Sequence, residues 1–299
     1  MMPTCTNSGE TRLWQSLSCE LGESLIWDER IQSFWWVDIL AGTLFRARLD
    51  DDVPDRWQFG EALGHVALTE SPHSVVLGLA SGLVLFDATH GTQTRLANVP
   101  HAAPAMRIND GRCDRHGNLV LGTMSEGGKG RRGAFWQFSA RDGLRPLALP
   151  SPAIPNSICF SPDGYLLYFT DSALKVVHVC DYEPATGAVS GIRVFFDPGV
   201  VPWEPDGSCV DAAGGVWNAR WGDGRIVRYH PTGEIDLEIH SPAHQPTCPC
   251  LGGANLDTLY MTSAFVGLSA DQRCDADGAI LSLHKHSLKG LPEGRLFGL

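Results

Sequence analysis

Four polar residues interrupt apolar stretches of this chain: Glu23 in LGESLIW, Asn109 in RINDG, Asn156 in IPNSICF and Asp206 in EPDGSCV. Each precedes a strand-like apolar run by a similar short distance. Two carboxylates and two amides form an oxygen-only ligand set, which suits Ca²⁺, Mg²⁺ or Mn²⁺, although Zn²⁺ and Fe²⁺ also occupy such sites. Taken singly, these residues are also ordinary turn formers or a rim carboxylate. Their equivalent placement favours one shared divalent cation site.

The elements that must position these residues are short strands. Two apolar runs recur six times, about every forty to fifty residues. The first runs begin at Phe34, Val75, Leu119, Leu166, Val216 and Leu259, and the second runs begin at Gly42, Gly82, Gly133, Lys175, Gly224 and Gly278. The runs are rich in Val, Tyr, Trp, Phe and Thr and are separated by turn dipeptides, so they predict strands rather than helices.

A repeat of this length predicts an all-β fold, a six-bladed β-propeller with a central metal site, and leaves a double-sheet sandwich as the alternative. The repeats fill the chain, which we expect to be a single propeller domain over residues 1–299 with residues 1–15 as an N-terminal extension. A propeller gathers strand starts from every blade around one channel. The four polar residues are therefore expected to meet there.

The composition restricts the partners. The 299 residues carry a net charge of −11, with 34 acidic and 23 basic residues, and the basic residues are spread along the chain. This predicts no nucleic-acid partner. Neither a secretory signal nor a membrane-length apolar run is present, so we expect a cytoplasmic protein without membrane attachment. A monomer is the default expectation.

The nine cysteines are scattered and odd in number, which favours reduced thiols over a disulfide framework. Cys248 and Cys250 form a close pair, but no second pair completes a zinc ligand set at the usual spacing. A G-x-S-x-G nucleophile motif is also absent from the sequence, which disfavours a serine hydrolase.

Several longer motifs, in order along the chain, resemble the senescence-marker-protein, gluconolactonase and regucalcin-like family of six-bladed propellers. The motifs are LGESLIWDER, RINDGRCDRHGNLVLGTMSE, IPNSICFSPDGYLLYFTDS, EPDGSCVDAAGGVWNARWGDGRIVRYHPTGE and LGGANLDTLYMTSAFVGLS. The resemblance covers nearly the whole length. It implies hydrolysis of a small-molecule sugar lactone.

The same resemblance implies one divalent cation, calcium in the first place, held by Glu23, Asn156 and Asp206. Asn109 is implied to lie beside it and to contact substrate or water, and Arg107 is implied to bind substrate. The cation would polarise the lactone carbonyl while Asp206, as the catalytic residue, assists the attack of water.

Three positions qualify the match. The family usually has Pro where this chain has Leu25, two residues after the first glutamate, and commonly has Gly where this chain has Ser157. Neither departure removes a ligand atom. Glu126 lies where some relatives carry a substrate-facing acid, and we include it in the predicted substrate site.

Two other functions remain open at this stage. One is a calcium-binding regulatory propeller without turnover, and the other is an esterase or phosphoesterase that uses the same metal site. The identity of the sugar lactone and of the metal, and the roles of His65, His101, His244 and Trp203, are not fixed by the sequence.

Overall fold

The computed structural model describes residues 11–284 and 288–299, and its strands form six sheets. We number the strands in chain order and describe each sheet as a blade, from its inner to its outer strand. Blade 1 comprises β2 (Gly22–Asp28), β3 (Ser33–Asp38), β4 (Thr43–Arg48) and β5 (Asp55–Gln58). Blade 2 comprises β6 (Leu63–Thr69), β7 (Ser74–Leu79), β8 (Gly82–Asp87) and β9 (Thr92–Asn98). Blade 3 comprises β10 (Met106–Cys113), β11 (Leu119–Ser125), β12 (Phe135–Ser139) and β13 (Gly143–Pro146).

Blades 4 to 6 follow the same order. Blade 4 comprises β14 (Pro155–Phe160), β15 (Leu166–Asp171), β16 (Val177–Glu183) and β17 (Ala188–Phe196). Blade 5 comprises β18 (Glu204–Val210), β19 (Val216–Trp221), β20 (Arg225–Tyr229) and β21 (Ile235–His240). Blade 6 comprises β22 (Pro246–Gly252), β23 (Thr258–Ser263), β24 (Ile280–His284) and β1 (Arg12–Gln15). The predicted six-bladed β-propeller is therefore confirmed. The first apolar run of each repeat is the second strand of a blade, and the second run is the third strand.

The sixth blade is closed by the start of the chain. Strand β1 pairs antiparallel with β24, so the outer strand of the last blade comes from the N-terminal side of the first blade. This strand lies within residues 1–15, which we expected to form an extension, and Arg12–Gln15 instead belongs to a blade. The remainder of that segment, residues 1–10, lies outside the described residues.

The hydrophobic core is divided among the contacts between neighbouring blades. Six clusters of buried apolar residues occupy the six junctions between adjacent blades. Along β3, Trp35 and Val37 face blade 2, whereas Phe34 and Trp36 face blade 6. Because successive residues of a strand point to opposite faces, a strand between two blades is apolar on both. This explains why the repeats are continuous apolar runs rather than alternating patterns.

The end of the central channel remote from the four polar residues is closed by the C-terminal segment. Strand β25 (Arg295–Leu296) pairs parallel with the inner strand β6. Nearby, Glu293 accepts two hydrogen bonds from the Arg112 guanidinium, which also donates to Ser208 O at 2.8 Å. The chain's last residues thus tie blades 2, 3 and 5 together.

Helical structure among the described residues is limited to two 3-10 turns, Glu126–Gly128 and Ser172–Leu174. Nothing helical in the described ranges has the length and apolarity needed to cross a membrane. The eight cysteines in these ranges are free thiols, of which only Cys274 is exposed.

Candidate metal centre and substrate cavity

The predicted site residues lie near the starts of inner strands, where each strand departs from regular pairing. The register between first and second strand shifts within the inner strand of all six blades. Such bulges re-aim side chains and increase the local twist. In blades 1 and 4 the bulge places Ser24 and Ser157 in the left-handed region, with φ of 55° and 60°. Glu23 and Asn156 immediately precede these two residues.

The bulges direct the candidate residues into one cavity of about 390 Å³ at this end of the channel. Its polar lining contains Glu23, Arg107, Asn109, Asn156 and Asp206, which come from four different blades. The remaining wall is formed mainly by Leu21, Leu40, Met124, Ile154, Trp221 and Val266. The cavity therefore combines a polar floor with apolar sides, as sites for small polar molecules usually do.

A continuous set of hydrogen bonds fixes the amide groups. Arg107 Nη1 donates to Asn109 Oδ1 at 2.6 Å, and Asn109 Nδ2 donates to Asn156 Oδ1 at 3.1 Å and to Pro155 O at 2.9 Å. Asn156 Nδ2 in turn donates to Ser172 Oγ at 2.9 Å. Asn156 Oδ1 accepts one hydrogen bond from the described residues, and an amide oxygen has two lone pairs, so one lone pair stays available to another ligand.

The two carboxylates of the site repel each other in a poorly solvated place. Burial raises the pKa of Glu23 to about 8, with the Asp110 charge adding to the rise and the Ser24 N–H and Arg107 opposing it. Burial and the charge of Glu23 raise the pKa of Asp206 well above its usual range. Burial also lowers the pKa of Arg107 to about 10. Ionisation of both carboxylates would place more negative charge in the cavity than its single guanidinium balances, so protons or a cation must neutralise part of it.

This donor set fits a divalent cation. Two carboxylates and one amide oxygen are hard ligands, and their mutual repulsion is relieved when a cation binds between them. The corresponding positions of blades 2 and 6 supply no further ligand among the described residues. Gly64 packs so closely that a Cβ would lie 2.0 Å from Ile108 O, and Thr247 Oγ1 donates to Gly22 O at 2.5 Å.

A layer beneath the site was not identified from the sequence. The Val66 N–H donates to Ser24 Oγ, with 3.0 Å between nitrogen and oxygen, and Ser157 Oγ donates to Asp206 O at 2.6 Å. Asp110 Oδ2 accepts the Ile158 N–H at 2.9 Å. Each of these bonds joins the inner strands of two blades, so it fixes the spacing of the residues above. The only sequence signal for them was their position directly after the selected residues.

Glu126 stands apart from the other predicted substrate residues. It is exposed, it begins the 3-10 turn whose Gly127 and Gly128 line the cavity, and its backbone N–H donates to Ala105 O at 2.8 Å. Its charge is among those that act on the pKa of Arg107. Glu126 therefore lies at the rim rather than on the floor.

The histidines and the tryptophan noted in the sequence lie outside the cavity lining. His65 is buried with Nδ1 2.7 Å from Ser24 Oγ, and burial lowers its pKa to about 3, so its ring is neutral. His101 contacts Ala80 O at 2.6 Å, and the Trp203 ring packs against the Arg220 guanidinium. Trp221, which we did not select, occupies the cavity wall instead.

His244 belongs to a different cluster. Its Nδ1 lies 2.9 Å from Asp277 Oδ2, and Cys274 donates to the same oxygen through its N–H at 3.0 Å. The potential ligand atoms of these three residues lie within 4.8 Å of one another. Asp277 holds a backbone turn here, just as Asp38 and Asp171 do in blades 1 and 4. The cluster is therefore explained by its own hydrogen bonds.

Comparison with known proteins agrees with the motifs. The profile described as the SMP-30/Gluconolactonase/LRE-like region matches residues 21–265. The L-arabinolactonase of Azospirillum brasilense is 40% identical over 296 residues, which cover 97% of each chain. The 6-deoxy-6-sulfogluconolactonase of Pseudomonas putida is 34% identical over 257 residues, 85% of this chain and 87% of that protein.

Among solved structures, that of a calcium-binding protein, regucalcin, from Agrobacterium tumefaciens superposes with a TM-score of 0.91 at 30% identity. The superposition covers 97% of this chain and 98% of the other. The resemblance stated from the motifs is thus confirmed at the level of the family, and the propeller fold at the level of structure.

Proposed function

The chain belongs to the SMP-30/gluconolactonase/LRE-like family, and on that premise we propose that it is a metal-dependent sugar lactonase, which opens an aldonolactone to the aldonic acid. The proposal rests on one cavity in which Glu23, Asn156 and Asp206 converge beside Arg107 and Asn109. Relatives named as lactonases of neutral and sulfonated sugars support this substrate class.

Glu23, Asn156 and Asp206 would hold the cation through their oxygens, and a bound divalent cation would polarise the lactone carbonyl and stabilise the negative charge that develops on its oxygen. Calcium is the first choice because the set contains only oxygen donors and because a relative is described as calcium-binding. Zinc, manganese, magnesium and ferrous iron remain compatible with the same ligands.

The remaining steps fall to side chains of the chain. Arg107 donates hydrogen bonds to the substrate, and Asn109 accepts one from the substrate or from water through Oδ1, because both of its amide N–H groups are already engaged. Their mutual bond fixes the positions from which they orient the substrate. Asp206 accepts a proton from the attacking water as the new carbon–oxygen bond forms. The ring carbon–oxygen bond then breaks, and the same proton passes to the ring oxygen, which leaves as a hydroxyl. A cation bound beside Asp206 would lower the pKa of this carboxylate, so its role as a base depends on the pKa of the attacking water falling as well.

The test is hydrolysis of a panel of neutral aldonolactones, followed by acid release, with chelator-stripped protein and after adding back each of the five cations separately. We expect turnover to disappear on stripping and to return with at least one cation. Cation binding without turnover on any lactone would instead indicate a calcium-binding propeller. Turnover only on other esters or phosphoesters would indicate a different hydrolase.

A further inference from the structure

One carboxylate in the cavity has no partner in the protein. Glu204 begins β18, lines the same cavity as Asp206 two residues later, and is partly buried. Side-chain hydrogen bonds within the protein hold Glu23, Arg107, Asn109, Asn156 and Ser172 of the lining, whereas Glu204 accepts no hydrogen bond and forms no ion pair with any described residue. A polar group that loses water on folding is normally compensated by a partner. For the partly buried Glu204, that partner is water or a ligand in the cavity.

The described cationic group whose charge acts on Glu204 is already engaged. The Lys175 charge acts on Glu204, but Lys175 Nζ donates to Val201 O at 2.6 Å and is held there. Besides Lys175, the charged groups described around Glu204 are the carboxylates of Asp171 and Asp206, and both repel the Glu204 carboxylate. The carboxylate therefore remains available to a ligand in the cavity.

The surroundings of Glu204 indicate the chemistry of that ligand. Trp221 pairs with Glu204 across β18 and β19 and lines the same wall. Arg107 comes from blade 3 and Glu204 from blade 5, so one wall carries donors and another carries acceptors. An ionised carboxylate accepts hydrogen bonds only, and its two oxygens suit two neighbouring hydroxyl groups. An aromatic ring next to it suits the C–H face of a sugar ring.

We propose that Glu204 determines specificity: it accepts hydrogen bonds from hydroxyl groups of a neutral, polyhydroxylated lactone and so distinguishes that substrate from lactones without hydroxyls. This inference rests on the proposed function and deepens it by naming the substrate feature that is read. Glu204 touches the substrate's hydroxyls and not the carbonyl or the ring oxygen, so its contribution adds to binding and orientation. A site built to bond a hydroxyl strongly disfavours the analogue that lacks it.

The test compares kcat/KM for a neutral aldonolactone and for unsubstituted γ-butyrolactone in the wild type, Glu204→Leu and Glu204→Gln. We expect Glu204→Leu to lower the ratio of the two values by about 10- to 100-fold, the size expected for a charge-assisted hydrogen bond. Glu204→Gln keeps one acceptor and should recover part of that ratio. The matched control is Glu234→Gln, an exposed carboxylate of the same blade at the turn between β20 and β21, which should leave the ratio as in the wild type.

Other results would overturn the inference. An equal loss on both lactones in Glu204→Leu would assign Glu204 a structural role, and loss of the bound cation would make it a ligand. An unchanged ratio would show that it does not contact the hydroxyls. The wild type separates this failure from that of the proposed function: if it hydrolyses neither lactone and binds no aldonic acid in calorimetry, both proposals fall. If it hydrolyses both equally well, only the role of Glu204 falls.

Discussion

Binding of a cation to Glu23, Asn156 and Asp206 should release a proton near neutral pH. In the metal-free protein the pKa of Glu23 rises from 4.5 to about 8 because of burial and the Asp110 charge. With that pKa, about nine-tenths of the Glu23 carboxyls are protonated at pH 7. A metal ligand must be deprotonated, so the proton has to leave before or as the cation binds.

The magnitude follows from this pKa. Below about pH 8, the proton on Glu23 competes with the cation. The apparent affinity for the cation therefore falls about tenfold for each pH unit by which the pH is lowered. The stability of the metal-free protein changes with pH in the opposite direction to its cation affinity. The pKa of Glu23 in the folded protein lies above the unfolded value of 4.5, so Glu23 stabilises the metal-free fold at low pH. This stabilisation is lost as the pH rises towards 8. The cation offsets that loss. Its stabilising effect should therefore grow between pH 6 and pH 8.

Isothermal titration of calcium into chelator-stripped protein measures both effects. Runs at pH 6, 7 and 8, each in two buffers of different ionisation enthalpy, give the dissociation constant and the number of protons released. From Glu23 alone we expect about one proton per cation at pH 7 and a dissociation constant about tenfold larger at pH 6 than at pH 7, and the raised pKa of Asp206 makes both figures lower bounds. Asp110→Asn removes a charge that raises the Glu23 pKa, so it should reduce the proton release, whereas Glu234→Gln should not. A dissociation constant that is equal at pH 6 and pH 8, with no proton released, would show that Glu23 is already ionised in the metal-free protein.

Three further predictions concern single side chains. Asp206→Asn should lower kcat by about 10²- to 10⁴-fold because the general base is lost. The unfolding midpoint should stay unchanged because Asp206 lies in the channel and not in a blade core. Global unfolding of this variant, seen by circular dichroism, would contradict this. Arg107→Ala should raise KM for the lactone while calorimetry still finds one cation per chain, and loss of the cation would show that its role is misassigned. Glu293→Ala should destabilise the protein by about 3 kcal/mol in urea unfolding because it leaves the largely buried Arg112 guanidinium without its carboxylate partner. The exposed Arg141→Ala variant is the control, and equal midpoints for the two would contradict a role for the C-terminal segment in closing the channel.

The fold could be predicted because each blade repeats the same local pattern. The run from Phe34 to Asp38 is apolar on both faces since it lies between two blades, and five similar runs follow at regular spacing. Closure of the ring was not predicted, because strand β1 lies more than two hundred residues before its partner β24 and repeats no motif. A pairing of that sequence separation leaves no local signal.

The floor of the site could be predicted in part, and its walls could not. Glu23, Asn109, Asn156 and Asp206 share a position in four repeats, so their convergence follows from the propeller alone. Trp221, at the end of β19, and the loops that complete the walls carry no motif that the repeats share. Their place depends on loop paths, which vary between blades of the same fold.

The most direct test of the central claim is to titrate chelator-stripped protein with a single cation while following both lactone hydrolysis and bound metal. We expect turnover to rise in proportion to occupancy and to reach its maximum at one cation per chain, and Glu23→Gln to shift the titration to much higher cation concentrations. Full turnover of the stripped protein, or activation that requires a second cation, would contradict a single metal centre formed by Glu23, Asn156 and Asp206.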